Sequence, residues 1–446
     1  MEEITSQYWN ILEAPVIDKS TKSFQYNEFK EDNITDIGGS THYQITIKNS
    51  RWKLLSRAFL HVKAKIENQG NNFVTVSNNG INDFRTAQLF YENKEIERID
   101  NLGITTTICN LVDFSGDISD TVASQLFWYM DTNDSANKQR FIYDEANKDT
   151  KLKEADVGLA NTLNKIKNNP SFNKGFLERW QLTKDGKLFE KFIPLSRIFR
   201  FCRDVEKVSN GEIMIKLDKN TDKNILHANV DSNYEYKINY LSLWIPEVEP
   251  SLVIQAALEK TLASNKSTVY GWNLVNGYRS TVQSSIDGTW RIVNTQNKVI
   301  GIYIIFSKVS RQENFKNSLM IFDNMNLQNI HVDVNNKQFP TKPYETNFSP
   351  DNLNYMRLYT SFLDAGFKNI DEGTCVSYKD FATLYPIIYF NLTKQEDELN
   401  LQSSSTEIML NWRLGAVPTE NYYVYAVVES EKVVNVSIID KQIFIE

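Results

Sequence analysis

Adjacent acidic side chains are the first candidates for chemistry in this sequence. Asp371 and Glu372 are neighbours, and Glu396, Asp397 and Glu398 form a run. Two carboxyl groups about 5–10 Å apart would supply the acid and base of a glycosidase. Both groups lie in polar, turn-like stretches, which favours solvated surface residues. A carbohydrate-binding or hydrolytic β-sandwich protein stays as an alternative.

Metal and nucleophile chemistry find less support. Asp131 and Asp134, in the sequence DTND, could help to bind calcium, but the glycine and distal glutamate of an EF-hand loop are missing. The sequence has no P-loop, GxSxG, HExxH or CxxC motif. The histidines and cysteines are scattered, whereas metal sites and disulfide frameworks need clusters. They are His42, His61, His227, His331, Cys109, Cys202 and Cys375. We therefore expect no enzyme, no cofactor, no metal and a reducing compartment.

The charge pattern argues against nucleic-acid recognition. The net charge is −7, from 49 basic and 56 acidic side chains, and neither half of the chain is basic. The lysine-rich run at 148–153 includes Asp149 and is followed by Glu154, so it makes no basic stripe. The acidic N-terminus predicts no signal peptide, and the apolar runs are too short for a transmembrane segment.

The elements that would position these residues are predicted to be strands. Apolar and polar residues alternate at 60–66, 213–217, 330–334 and 408–414, which is typical of strands with one buried face. Denser apolar runs at 299–306, 385–392 and 422–428 indicate strands covered on both faces. Asn-Gly or Asp-Gly pairs, which favour tight hairpins, occur at 79–80, 185–186, 210–211, 276–277 and 287–288. The sequence therefore predicts an all-β protein.

Two segments depart from the strand pattern. After Pro250, the residues Ile254, Leu258 and Leu262 recur at helical spacing and predict one short helix at a domain boundary. The segment at about 133–180 is polar, with weak helical character at 151–167, and predicts a large surface insertion.

A faint internal repeat indicates one β-sandwich unit present twice. Residues 88–95 and 331–338 are alternating strands that end in Asn-Lys, and each half closes with an aromatic-rich strand at 240–245 or 422–428. The length of 446 residues allows two or three domains.

The segment 192–208, FIPLSRIFRFCRDVEKV, closely resembles a stretch of the major capsid proteins of Maverick/Polinton elements and adintoviruses, which belong to the double jelly-roll lineage. The resemblance rests on the pattern IPLS-x-IF-x-FC-x-D-x-x-KV, which spans 16 positions of this sequence. The matching residues are Ile193, Pro194, Leu195, Ser196, Ile198, Phe199, Phe201, Cys202, Asp204, Lys207 and Val208.

Further segments resemble the same family in the same order. The turn at 93–97 and the residues 102–104 are similar to its "NGK-x-(V/I)E" region, and 241–251, LSLWIPEVEPS, is similar to the last strand of its first jelly roll. Trp290-Arg291 before an apolar strand, a "KP(F/Y)-x-x-NF" turn and the closing segment 417–440 resemble its second jelly roll. In the closing segment, Val417 replaces the family's usual leucine and Ala426 matches. The residues that carry these matches include Asn93, Lys94, Trp244, Pro246, Lys342, Pro343, Tyr344, Asn347 and Phe348. The insertion lies outside the resemblance.

The resemblance implies two tandem eight-stranded jelly-roll β-sandwiches, a double jelly roll. We expect an N-terminal arm at 1–39, a first jelly roll at 40–250, a linker helix at 251–266 and a second jelly roll at 267–446. It further implies a structural major capsid protein, made in the host cytoplasm and located in the virion of an icosahedral DNA virus or virus-like element. Its expected partners are two further copies in a pseudo-hexagonal homotrimer, neighbouring capsomers, a penton protein and minor capsid proteins. A minor capsid or attachment protein of the same lineage is the other alternative.

Overall fold

The computed structural model describes residues 20–32, 37–136, 173–263, 267–295, 297–349, 353–365, 373–393, 406–437 and 443–445. The first half contains strands β1 (Thr21–Lys30), β2 (His42–Ile47), β3 (Trp52–Lys53), β4 (Phe59–Glu67), β5 (Val74–Val76), β6 (Phe84–Tyr91), β7 (Lys94–Ile99), β8 (Phe189–Pro194), β9 (Ile213–Lys219), β10 (Leu226–Ala228) and β11 (Glu235–Pro250). Its short helices are α1 (Leu102–Asp113), α2 (Gly116–Asp120), α3 (Lys174–Thr183), α4 (Leu195–Ile198), α5 (Arg200–Asp204) and α6 (Asp222–Ile225). Single 3₁₀ turns lie at Leu55–Arg57, Gly80–Asp83, Val122–Leu126 and Lys184–Gly186.

Helix α7 (Leu252–Ala263) follows β11 and leads to the second half. The strands there are β12 (Ser267–Val282), β13 (Asp287–Thr295), β14 (Val299–Lys308), β15 (Leu327–Val334), β16 (Lys337–Glu345), β17 (Ile388–Asn391), β18 (Thr406–Leu414), β19 (Tyr422–Ser437) and β20 (Ile443–Ile445). The helices are α8 (Ser310–Glu313), α9 (Met356–Asp364) and α10 (Tyr378–Thr383). None of the helices that the structure describes is long and apolar enough to cross a membrane.

Each half is a sandwich of two four-stranded antiparallel sheets with the same strand order. The first sandwich has sheets β1-β11-β4-β8 and β2-β9-β6-β7, and the second has β12-β19-β14-β17 and β13-β18-β15-β16. β3 also pairs with β11, β20 also pairs with β19, and β5 pairs with β10. Strand for strand, β1 corresponds to β12, β11 to β19 and β4 to β14. The prediction of an all-β protein with two eight-stranded jelly rolls is confirmed.

The repeated Asn-Lys segments form equivalent hairpins. Glu92 and Asn93 connect β6 to β7 with φ angles of 46° and 62°, and Asn335 and Asn336 connect β15 to β16 with 49° and 65°. Two successive residues with positive φ are typical of a type I′ turn, whose twist matches that of the flanking strands. Asparagine tolerates this backbone region better than most residues. The shared Asn-Lys spacing therefore has a physical cause.

Three sequence expectations differ from the structure. Residues 21–30, assigned to an N-terminal arm, form β1 and pair with β11 along its length. Asn276 and Gly277, predicted to form a turn, lie inside β12. Near the end of the predicted polar insertion, α3 buries Phe176 and Arg179 completely. The predicted helical stretch at 151–167 lies outside the described residues.

A buried ion pair crosses the interior of the first sandwich. Lys191 of β8 points inward, and its Nζ lies 2.7 Å from both carboxylate oxygens of Asp83. The Tyr236 hydroxyl donates to the same carboxylate at 2.6 Å. Burial lowers the pKa of Lys191, and Asp83 opposes that effect. A buried charge is tolerated only with a partner, so each member depends on the other.

We predict that Asp83→Ala lowers the free energy of unfolding by about 3–5 kcal/mol, because it leaves the Lys191 ammonium buried without a counter-ion. Adding Lys191→Met to that variant should recover a large part of the loss. Urea denaturation of the single and double variants measures both effects. The matched control is Glu249→Ala, which removes an exposed pair with Lys22 and should cost less than about 1 kcal/mol. Additive losses in the double variant would contradict the prediction.

Candidate functional site at the junction of the two sandwiches

The segment 192–208 forms the junction between the two sandwiches. Pro194, the last residue of β8, directly precedes α4, and an extended residue, Phe199, separates α4 from α5. Leu195, Phe199 and Cys202 are at most 1% exposed and anchor the helices in the first sandwich. Ile198 is also buried, whereas Ser196 is partly exposed. Because α4 and α5 are so short, the chain presents successive side chains to both sandwiches.

The second half of this segment contacts β12 of the second sandwich. The Phe201 ring lies 5.1 Å from the Trp272 ring and 5.9 Å from the Tyr270 ring, both edge to face. Asp204 Oδ2 accepts a hydrogen bond from the Asn273 backbone N–H at 3.1 Å. The Phe201 ring and the Asp204 carboxylate, which binds the backbone of the edge strand β12, thus fix the position of that strand.

Glu97 joins this segment to the hairpin that carries Asn93 and Lys94. Its two carboxylate oxygens each accept a backbone N–H at 2.8 Å, one from Arg200 and one from Phe201. Glu97 is 1% exposed, and burial raises its pKa to about 7 although the two N–H groups oppose this effect. The two stretches that resemble the same family therefore meet at one carboxyl group.

Arg200 carries charge across the junction. Its guanidinium lies 3.6 Å from Asp113 of the first sandwich and 3.7 Å from Glu429 of the second. Burial raises the pKa of Glu429, and Arg200 opposes that shift. Lys432 of β19 also crosses, donating to the carbonyl oxygen of Ile96 at 2.6 Å.

Gly277 explains why β12 can approach α1 so closely. A Cβ at this position would collide with the Thr105 hydroxyl and the Asp100 carbonyl oxygen of the first sandwich. The glycine read from the sequence as a turn residue therefore provides clearance for a helix.

A second polar cluster crosses the junction at Asp131. Its carboxylate lies 2.6 Å from Arg179 and accepts hydrogen bonds at 2.9 Å from Asn173 and from Ser318 of the second sandwich. Burial would raise the pKa of Asp131, but the charges of Arg179 and His227 and the hydrogen bonds from Arg179 and Asn173 together hold the pKa below its usual value. The Tyr385 hydroxyl donates to the Asp131 carbonyl oxygen at 2.9 Å.

Asp134 is paired in a similar way. Arg311 of the second sandwich lies 2.7 Å from Asp134 and 2.9 Å from Asp323. The two acids considered as calcium ligands thus bind guanidinium groups instead. Within the described ranges, no three His, Cys, Asp or Glu side chains are grouped as metal ligands.

The remaining residues of the resemblance lie away from the junction. Trp244 is on the outer face of β11, stacked 6.3 Å from Phe59, and Pro246 is opposite Tyr26 of β1. Lys342 and Pro343 accept hydrogen bonds from Arg357 of α9 at 2.9 Å. Asn347 pairs with Asn354, and Phe348 stacks on Tyr355 at 5.1 Å. These four residues of the second sandwich therefore hold α9 in place.

The other candidate residues lie outside the described ranges or are far from one another. Asp371, Glu372, Glu396, Asp397, Glu398 and the run at 148–153 lie outside the described residues. The described histidines are dispersed: His61 stacks on Phe192 and lies 3.2 Å from Glu190, while buried His227 contacts the Lys316 carbonyl oxygen. Burial raises the pKa of the Cys109 thiol to about 11 and that of Cys202 well above its usual value. No sequence pattern indicated a role for Arg179, Arg200 or Arg311, because most of their acidic partners are distant along the chain.

We predict that the stability of the protein falls between about pH 4.5 and 7 through Glu97. The folded-state pKa lies above the unfolded one, so the folded state binds more protons in this range and loses stability as pH rises. The full effect is on the order of 3 kcal/mol. Glu97→Gln should remove it, so the stability of the variant relative to wild type should rise from pH 5 to 8 in urea titrations. Glu95→Gln, on the exposed side of the same strand, is the control. A pH-independent difference for Glu97→Gln would contradict the assignment.

We also predict that calcium leaves the melting temperature unchanged. The oxygens of Asp131 and Asp134 are already bound by Arg179 and Arg311, so a cation would have to displace a guanidinium. Scanning fluorimetry with millimolar calcium, compared with EGTA, measures this. A stabilisation by calcium that Asp134→Asn abolishes would show the prediction to be wrong.

A family model described as "Double jelly roll-like domain" matches residues 149–434, more than half of the chain. The match includes residues 149–180 of the region predicted as an insertion. No curated protein sequence matches the chain.

Solved viral structures share the fold. A chain of the Sputnik virophage aligns with a TM-score of 0.60 and 10% identity, covering 98% of this chain and 91% of that one. The mavirus major capsid protein aligns with a TM-score of 0.53 and 9% identity, covering 98% and 92%. The Faustovirus major capsid protein gives 0.51 and 9%, covering 96% and 93%. At such identities the likeness establishes the fold alone. Together with the strand order and the family match, it shows that the chain belongs to the double jelly roll-like domain family.

Proposed function

We propose that this chain is the structural major capsid protein of an icosahedral DNA virus or virus-like element. The observation that carries the proposal is the presence of two sandwiches with one strand order in a single chain, joined by a buried junction. The shared fold with the mavirus and Faustovirus major capsid proteins supports it over more than nine-tenths of each chain.

In the proposed assembly, three copies form a pseudo-hexagonal capsomer. One chain contributes two equivalent sandwiches, so a ring of three chains contains six similar units. The contact between the two sandwiches is heterologous, because different surfaces of the same unit meet, and heterologous contacts that close generate rings. The charged pairs of Arg200 and Arg311 across the junction favour a fixed angle between the sandwiches, which such a ring requires.

We further propose, on the motif resemblance, that the protein belongs to the Maverick/Polinton and adintovirus lineage. Two of its stretches meet at Glu97, and Phe201 and Asp204 hold β12. These contacts give a physical reason for that combination of residue types. The first jelly roll ending at 250, the linker helix at 251–266 and the second jelly roll from 267 remain our proposal, with β1 at 21–30 counted in the first jelly roll instead of in a separate arm.

The proposed partners are other copies of the chain, neighbouring capsomers, a penton protein and minor capsid proteins, in a virion whose protein is made in the host cytoplasm. The net charge of −7 supports the view that this chain does not hold the genome by a bulk basic surface. We assign it no enzymatic role.

We predict that the purified chain is a trimer. Light scattering coupled to size-exclusion chromatography should give three times the chain mass of 51.7 kDa, and negative-stain electron microscopy should show roughly hexagonal particles. A chain that stays monomeric at high concentration would overturn the proposal. In purified particles, a low copy number would instead identify a minor capsid or attachment protein.

A further inference from the structure

The outer face of the first sandwich carries a cluster of aromatic side chains. This aromatic face consists of Phe24, Tyr26, Phe59, Phe192 and Trp244. Phe59 lies at its centre, 5.6 Å from Tyr26, 5.4 Å from Phe192 and 6.3 Å from Trp244, between ring centroids. Phe24 is 45% exposed and Tyr26 is 42% exposed. Exposed apolar patches of this kind mark interaction surfaces.

Trp244 contributes an unpaired hydrogen-bond donor to the aromatic face. Its Nε1–H is buried and has no acceptor among the residues that the structure describes. A buried donor without a partner costs free energy, so an acceptor supplied from outside the chain would stabilise this position.

The equivalent face of the second sandwich is covered. There the outward residues of β14 and β19, Tyr303, Ile305, Tyr425 and Val427, are at most 2% exposed. The first sandwich supplies part of the cover: α1 and α5 contact β12, Thr105 lies against Gly277, and Arg200 reaches Glu429. One chain therefore contains a covered and an uncovered copy of the same surface.

The contact between the two sandwiches within one chain shows which surface of each sandwich is left without a partner. In the first sandwich, the contact is made by α1 and by α5, which follows the edge strand β8. Both helices contact β12 of the second sandwich, and β12 corresponds to β1, the edge strand opposite β8. In the next step of the same head-to-tail pattern, the second sandwich would use α9, beside β17, to contact β1 of another chain. α9 follows β16 as α1 follows β7, so it occupies the equivalent place in the fold.

The exposed side of α9 is mainly apolar, as a partner of the aromatic face must be. Met356, Thr360 and Leu363 follow the spacing i, i+4, i+7 and are all exposed, with Met356 at 55% and Leu363 at 40%. Leu353, just before the helix, is 55% exposed. The opposite side is buried through Leu358 and Phe362, so the exposed stripe is not needed to anchor the helix.

We propose that the α9 stripe of one copy, formed by Leu353, Met356, Thr360 and Leu363, docks on the aromatic face of the next copy. The contact repeats between chains what α1 does within the chain. This inference rests on the proposed trimer and names its interface. Each copy has one stripe and one aromatic face, so the interface is heterologous and a closed ring uses every copy of both.

Two variants separate the two surfaces. Phe24→Lys with Tyr26→Lys disables the aromatic face, and Met356→Lys with Leu363→Lys disables the stripe. All four residues are exposed, so the fold should persist, which near-ultraviolet circular dichroism checks. Light scattering should give the wild type as a trimer and each variant with a threefold lower mass. Val417→Lys, at a residue that is 58% exposed in the loop before β19, is the control and should remain a trimer.

Mixing the two variants gives the decisive result. Each retains the surface that the other lacks, so a 1:1 mixture should form a species of two chains that cannot close into a trimer. If a double variant fails to fold, the single changes Tyr26→Lys and Leu363→Lys replace it. If both variants remain trimers, or if the mixture stays monomeric, the proposed interface is wrong and the proposed function still stands. A wild-type monomer would overturn both.

Discussion

Charge buried between two β-sandwiches is the constraint on which the rest of this structure depends. Arg200, Arg179 and Arg311 are almost inaccessible to water, and each lies beside carboxylates. Arg200 and Arg311 draw some of those carboxylates from the other sandwich. Removing one partner of such a pair typically costs about 3–5 kcal/mol, because a charge would be left buried alone. The two sandwiches are therefore held as one unit rather than as two domains on a flexible linker.

Because the junction fixes the two sandwiches relative to each other, their equivalent outer faces have different surroundings. Two units with the same strand order present the same outer face twice, once against α1 and once toward the outside. Exposed aromatic residues are costly for an isolated chain and useful for an assembling one. Gly277 of β12 lies against Thr105 of α1, whereas Tyr26 of the equivalent strand β1 is exposed and, in the proposed trimer, is left for another copy.

Two of the stretches that resemble one viral lineage, 93–97 and 192–208, have a common structural task at the junction. Leu195, Phe199 and Cys202 fill the core of the first sandwich, while Phe201 and Asp204 face the second. Glu97 accepts the backbone N–H groups between these two sets of residues. Substituting any of them would alter packing or hydrogen bonding at the junction rather than a reactive centre.

The sequence by itself determined the strands, the two sandwiches and the Asn-Lys hairpins, because side-chain alternation and turn preferences are local properties of the chain. Tertiary structure decided the rest. Arg311 and Asp134 are 177 residues apart and Lys432 and Ile96 are 336 apart, so no spacing rule could pair them. Gly277 looked like a turn residue because its reason, the approach of α1, belongs to another sandwich. Strand β1 was missed because an exposed edge strand buries too little apolar surface to show a clear alternation.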